Sequence, residues 1–181
     1  PRELFRRWIV QDWLYLQVYV EALGNAAKFA PDASTRCFWQ DLARITQEEE
    51  MGLHRGLAGS FGLSSDDLGS ALPYEPTADY LFTLRSSFQS YPALLGMLTP
   101  CAVGYARIAR ALQLRNSCSE PDYAAWINTY MEPAFQKSVQ QFESEIDRHE
   151  LSNEQKGLIE RAYSSAARCE LAFWEGLWQG G

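Results

Sequence analysis

Apolar residues recur along almost the whole chain at steps of three and four, the spacing of one helix face, and no run alternates as a strand would. From about Glu3 to Phe29 the residues Phe5, Trp8, Ile9, Trp13, Leu16 and Val20 keep this period, and Pro31 ends the run. A second helix is predicted from about Ala33 to Ser60 on Phe38, Leu42, Ile45 and Leu53, closed by the glycines around Gly56 to Gly62. The stretch SSDDLGSALPYEP reads as a polar connection with one short helical turn after Ser64. A third helix opens near Pro76, where proline suits the first turn, and ends near Gln89. A fourth spans Pro92 to Leu114. Ser119 as a cap, with Pro121 just inside, starts a fifth through Tyr130, and a sixth runs from about Glu132 to His149. Ser152 and Gln155 form a capping-box signature for a last helix reaching about Trp178.

About seven helices with short connections, without repeats or low-complexity segments, predict an all-α bundle in a single domain over residues 1–181. Residue 1 nearly coincides with the first helix and no capping residue precedes it, so a missing leading segment is expected. A hydrophobic share of 46% and a charged share of 22% are ordinary for a soluble domain that buries a real core. The net charge of -7 changes the picture more: phosphates and anionic headgroups would be repelled, so neither nucleic acid nor a membrane surface is expected as a partner. The opening PRELFRRWIV lacks signal-peptide architecture and no apolar run is long enough for a bilayer, which predicts a cytoplasmic protein. Cys37, Cys101, Cys118 and Cys169 lie far apart with no CxxC pair, which favours reduced thiols over a disulfide framework or metal knuckle.

Chemistry is concentrated in a few segments. In MLTPCAVGY, 97–105, Pro100 removes a backbone hydrogen bond just before Cys101 and loosens or kinks the helix there, while Tyr105 shares the thiol's face at i+4. A small buried hydrophobe beside a kink and a thiol aimed into a cavity fit this segment equally well. In QDWLYL, 11–16, Asp12 and Tyr15 share a face among tryptophans, where an unpaired carboxylate would be costly; a solvated aspartate on the polar side is the alternative. Glu170 sits among Cys169, Leu171, Ala172 and Phe173, so either a buried acid with a raised pKa or a rim glutamate fits. Tyrosines 15, 80, 105 and 130 fall on four helices and could ring one central pocket. Di-iron bundles need Glu-x-x-His on two helices. Glu50 to His54 and Glu145 to His149 are i+4, and the chain has only 2 histidines, so no metal is expected. The run Glu48, Glu49, Glu50 reads as a solvated face.

Taken together, QDWLYL, EMGLHRGL, PTADYL, TPCAVGY, YAAWINTY and ELAFW resemble the TenA proteins, or thiaminase II, of the TENA/THI-4/PQQC superfamily, in that family's order and over almost the whole chain. The resemblance implies a haem-oxygenase-like helical bundle, usually a homotetramer, needing no cofactor. The implied activity is hydrolysis at a 4-amino-2-methylpyrimidine: water replaces the amine of the 5-aminomethyl pyrimidine, giving the hydroxymethyl pyrimidine for thiamin salvage, and thiamin itself is also cleaved. By motif, Cys101 is then the nucleophile and Glu170 the acid/base. Asp12 holds the aminopyrimidine edge, and Tyr15, Tyr80, Tyr105, Tyr130 and Phe173 stack on the ring or hydrogen-bond the acid and the thiol. Glu50 and His54 are expected to support the site from behind, and Cys37, Cys118 and Cys169 to be structural.

A soft thiolate is the protein nucleophile best suited to break the ring's aromaticity, and ring attack eases when an acid protonates a ring nitrogen. Two departures stand out: where the family commonly has LLPCxW this chain has LTPCAV, so Thr99 and Val103 are expected to reshape the pocket wall. Two further functions remain open: a hydrolase or oxygenase for another substrate on the same scaffold, or a non-catalytic protein that binds a thiamin-like pyrimidine. A binder has no need of the thiol.

Overall fold

Helical periodicity is realised throughout. A computed structural model describes residues 1–115, 120–148 and 150–180, and among these there are nine α-helices, one π-helical segment and no strand. In order they are α1 (Arg2–Phe29), α2 (Ala33–Ile45), the π segment (Thr46–Glu50), α3 (Met51–Ser60), α4 (Ser65–Gly69), α5 (Glu75–Ser86), α6 (Tyr91–Leu114), α7 (Pro121–Met131), α8 (Pro133–Arg148) and α9 (Asn153–Gln179). None of these helices is long and apolar enough to cross a membrane.

The single helix expected over 33–60 is one helical run with a π turn in its middle. Both flanking residues, Ile45 and Met51, keep helical backbone angles, and the Met51 N–H reaches back five residues to the Thr46 carbonyl. The polar connection after Ser64 does carry a short helix, fixed by a capping box between Ser64 and Asp67. Asp32 caps α2 by accepting the Thr35 N–H, and Ser152 with Gln155 caps α9 as the sequence predicts. The third predicted helix begins at Glu75 and stops at Ser86, short of Gln89. Ser119, Cys118 and His149 lie outside the described residues, and Glu120 occupies the N-cap position of α7.

The helices enclose one apolar core that includes Trp8, Ile9, Leu23, Leu84, Leu94 and Phe142. Burying each such large side chain is worth about 2 kcal/mol, so the core dominates the fold's stability. α6 and α9 lie against one another over the longest stretch, with α1 packed on α2, α5 and α6. Gly96 makes the α6–α9 approach possible: a Cβ there would meet the Ile159 carbonyl at 2.4 Å and the Ala162 Cβ at 2.7 Å. α6 continues through Pro100 as one helix, so the proline costs it a hydrogen bond without ending it. The far side is tied by polar contacts: Arg148 donates to Asp32 at 3.1 Å, and the Thr35 hydroxyl to Glu145 at 3.1 Å.

Because the obstacle at Gly96 is backbone and cannot step aside, Gly96→Ala should destabilise the protein by roughly 1–3 kcal/mol. Gly104→Ala on the same helix, where a Cβ meets nothing within 4 Å, should be neutral or stabilising by up to about 1 kcal/mol. Urea denaturation of the two variants checks both signs.

Candidate active site

Asp12 lies on the buried face of α1, yet it is a charged residue in an apolar helix layer and therefore needs partners. It has two. The Tyr105 hydroxyl of α6 donates to Oδ1 at 2.9 Å, and His54 Nε2 of α3 lies 2.8 Å from Oδ2. Tyr105 in turn accepts the Trp8 indole N–H at 3.2 Å. The other histidine nitrogen, Nδ1, is 2.9 Å from the Glu50 backbone carbonyl. Carbonyl and carboxylate can only accept, so the imidazolium form, with hydrogen on both ring nitrogens, suits these neighbours best. Its complete burial works against that charge, but the Asp12 hydrogen bond and charge outweigh it and leave its pKa above the ordinary value. The ring also stacks on Trp8, with centroids 4.8 Å apart.

The π turn makes this arrangement possible. A π turn accommodates one residue more than an α turn and so shifts the phase of the helix. Across it Thr46 and Glu50, four residues apart, share one cavity wall, and Glu48 and Glu49 are exposed. The expectation that all three glutamates form a solvated face is therefore corrected for Glu50. An α-helical count through TQEEE contains no sign of the extra residue, which is why the pattern misled.

The cavity, about 30 Å³ in volume, is lined by Asp12, Thr46, Glu50, Cys101, Tyr105 and Tyr130, with apolar residues of α8 opposite. Cys101 and Glu50 are partly exposed, as side chains on a cavity wall are. Burial, then the carboxyls of Glu170, Asp12 and Glu50, push the thiol well above its ordinary pKa, and the Tyr15 hydroxyl pulls weakly the other way. Resting Cys101 is thus a neutral thiol. Burial and the neighbouring Asp12 raise Glu50 to about 7.

Tyr15, Tyr80 and Glu170 do not line this cavity. They form a hydrogen-bonded file beside it: Tyr15 donates to Tyr80 at 3.2 Å, and Tyr80 to Glu170 Oε1 at 3.0 Å. Burial raises Glu170 to about 7 as well, against the lowering effect of the Tyr80 hydroxyl. Glu170 lines a neighbouring hollow together with Tyr105 and Trp174. Phe173 is buried edge-on to Trp174, centroids 5.9 Å apart, and is not on the wall that carries Cys101. Trp8, Thr46 and Tyr19 were not singled out in the sequence; only the i+4 step from Trp8 to Asp12 could have drawn attention to the first.

Neither Thr99 nor Val103 lines the cavity, but Val103 lines the neighbouring hollow with Glu170. Thr99 donates to the Leu95 carbonyl of its own helix at 2.6 Å. Val103 packs with Val139 and Phe135, which themselves face the cavity. A wider groove of about 460 Å³ between α1, α6, α7 and α9 carries no carboxylate, imidazole or thiol and offers no such chemistry. Among the described residues no cluster of three metal-ligating side chains occurs.

The TENA/THI-4/PQQC family model matches residues 1–180 of the chain. The chain is 26% identical over 176 residues to an aminopyrimidine aminohydrolase of Halalkalibacterium halodurans, spanning 94% of this chain and 79% of that protein. It is likewise 26% identical over 178 residues to an aminopyrimidine aminohydrolase of Bacillus subtilis, spanning 96% and 75%. Among solved structures, the TenA homologue protein from P. horikoshii OT3 superposes with a TM-score of 0.90 at 25% identity, over 100% of this chain and 85% of that one.

The charges in the site set how stability responds to pH. Glu50 and Glu170 titrate near 7 in the folded protein against an ordinary 4.5, so the folded state holds protons that the unfolded chain releases between about pH 4.5 and 7. His54, raised above 6.5, contributes stability that is complete below that value and is lost as pH rises through its folded pKa. All three act in one direction: the melting temperature should fall as pH climbs from about 5 to 8, and Glu50→Gln should flatten the fall. Asp12→Ala, which strands the imidazolium, should cost about 3 kcal/mol at pH 6, and His54→Ala in that background should cost much less than it does alone.

Proposed function

As the chain belongs to the TENA/THI-4/PQQC family, we propose that it is an aminopyrimidine hydrolase that replaces the amine of 4-amino-5-aminomethyl-2-methylpyrimidine with hydroxyl, and that also cleaves thiamin. The observation that carries this reading is the meeting, in one cavity, of a thiol on α6 and a carboxylate fixed by a buried imidazolium, with a two-tyrosine file leading to an acid that titrates near 7. A purely binding pocket needs the carboxylate but neither the thiol nor the file.

The chemistry follows from the protonation states. Cys101 begins as a thiol and must lose its proton to react. Tyr15 and Tyr80 are held neutral by burial and can pass a proton along: Tyr15 oxygen takes the thiol proton as its own hydroxyl proton moves to Tyr80, and Tyr80 gives its proton to the Glu170 carboxylate. The thiolate then forms a C–S bond to an electron-poor carbon of the ring while a ring nitrogen takes a proton from solvent water, to which it is returned in the last step. Asp12 accepts from the exocyclic amino group and fixes the ring's orientation, and Tyr130 supplies a flat wall. The aminomethyl arm reaches toward the neighbouring hollow, where Glu170, now an acid, donates its proton to the departing amine; the C–N bond breaks and ammonia leaves. Water supplies the hydroxyl to the side-chain carbon and its proton returns to Glu170. Loss of the ring-nitrogen proton expels the thiolate and restores aromaticity. A pKa near 7 suits a group that must act as both base and acid.

Ammonia release from the aminomethyl pyrimidine should be rapid for the native protein and abolished in Cys101→Ala. Glu170→Gln should lower kcat by roughly 10²–10⁴ while ligand still binds. Release that survives Cys101→Ala would reduce the thiol to a piece of wall and overturn the mechanism. Native protein that binds the pyrimidine without releasing ammonia would favour the binding-protein reading.

A further inference from the structure

Glu50 takes no part in the mechanism above, yet its carboxyl belongs to the same cavity wall as Asp12 and Cys101. Its one hydrogen bond among the described residues is a long one, 3.4 Å from the Thr46 hydroxyl to Oε1, which leaves Oε2 without a protein partner. Partly exposed on the cavity wall, that oxygen is open to a ligand. One imidazole also ties this residue to the ligand-orienting carboxylate: His54 binds the Glu50 backbone carbonyl through Nδ1 and Asp12 through Nε2. The Glu50 backbone and the Asp12 carboxylate are therefore held at the two edges of one ring.

We propose that Glu50 is a ligand-contacting, specificity-determining residue, whose carboxylic acid donates a hydrogen bond to a ring nitrogen of the aminopyrimidine while Asp12 accepts from the adjacent amino group. This rests on the functional reading above and extends it to the second half of the ligand's polar edge. An amino group beside a ring nitrogen presents a donor next to an acceptor. Two ionised carboxylates would meet the acceptor with repulsion, whereas one ionised and one neutral acid match both atoms. Asp12, paired with an imidazolium, is the ionised member. Burial and the adjoining Asp12 keep Glu50 the neutral one up to about pH 7. The titratable groups facing it are Asp12 and Tyr19 from α1, Glu49 from its own turn, His54 from α3, Cys101 and Tyr105 from α6, and Tyr130 from α7; α8 presents none to the cavity.

The test is calorimetric binding of 4-amino-5-hydroxymethyl-2-methylpyrimidine at pH 6 and 8.5 to the native protein, Glu50→Gln and Glu50→Leu, with steady-state kinetics on the aminomethyl substrate. Glu50→Gln can donate but cannot ionise. Its affinity at pH 6 should fall less than about threefold, against tenfold or more for Glu50→Leu, the range for one lost hydrogen bond to a buried polar group. The loss should appear in KM rather than kcat. Native affinity should weaken between pH 6 and 8.5 by several-fold more than that of Glu50→Gln; the ligand's own titration and that of Glu170 are common to both proteins. Equal affinity of Glu50→Leu and native protein at pH 6, a glutamine variant as weak as the leucine one, or identical pH dependence in native and glutamine proteins would each overturn the proposal. If Glu50→Leu does not fold, the pH dependence of Glu50→Gln decides alone. Native protein that binds no aminopyrimidine at either pH would instead remove the functional reading, and this one with it.

Discussion

The site depends on one buried ion pair. His54 is a cation in the interior of the protein, inaccessible to solvent, and Asp12 is the anion that makes this affordable. Each would be prohibitively costly alone, and Tyr105, Trp8 and the Glu50 carbonyl satisfy what the pair leaves over. The pair joins α1 to α3 and, through Tyr105, to α6. These helices carry Asp12, His54 and Cys101, so the contact that holds them in register also holds the cavity wall in shape.

The same pair settles the electrostatics of everything nearby. Three carboxyls and a thiol lie in and beside the cavity with one imidazolium, and that cation is paired with Asp12. Burial first, and the charge of Asp12 after it, raise Glu50 and Glu170 to about 7; burial and the neighbouring carboxyls keep Cys101 a thiol. A mobile proton is thereby stored in the site without net charge being added: moving it from sulfur to Glu170 exchanges one anion for another along the tyrosine file. The protein gives up stability at alkaline pH for that store, as sites with strongly shifted pKa values do.

Much of this was legible in the sequence because helices announce themselves by period. Phe5, Trp8, Ile9 and Leu16 outlined α1 correctly, and Ser152 with Gln155 fixed the start of α9. Family-like blocks drew attention to Asp12, Cys101 and Glu170, but their partners were not visible. Nothing local to either residue says that His54 meets Asp12, since such a pair arises only when α1 and α3 pack. Glu50 was misread for a different reason: a helical wheel assumes constant phase, and the π turn breaks that assumption. The departures at Thr99 and Val103 drew suspicion because they neighbour Cys101 in sequence, although consecutive residues on a helix point about 100° apart: Thr99 bonds its own helix and Val103 lines the hollow beside Glu170.

The π turn makes this helix sensitive to number as well as kind. Gln47, Glu48 and Glu49 are exposed, and by composition any of them looks dispensable. The loss of one of them would let the segment relax to an ordinary α turn, which holds one residue fewer, so the later side chains of α3 would keep their facing relative to α2 and His54 would still meet Asp12. A further residue gained here, with the turn already overfilled, would swing α3 round by about 100° and turn His54 away. The surface of this stretch thus tolerates exchange of its letters, and even the loss of one, far better than an addition.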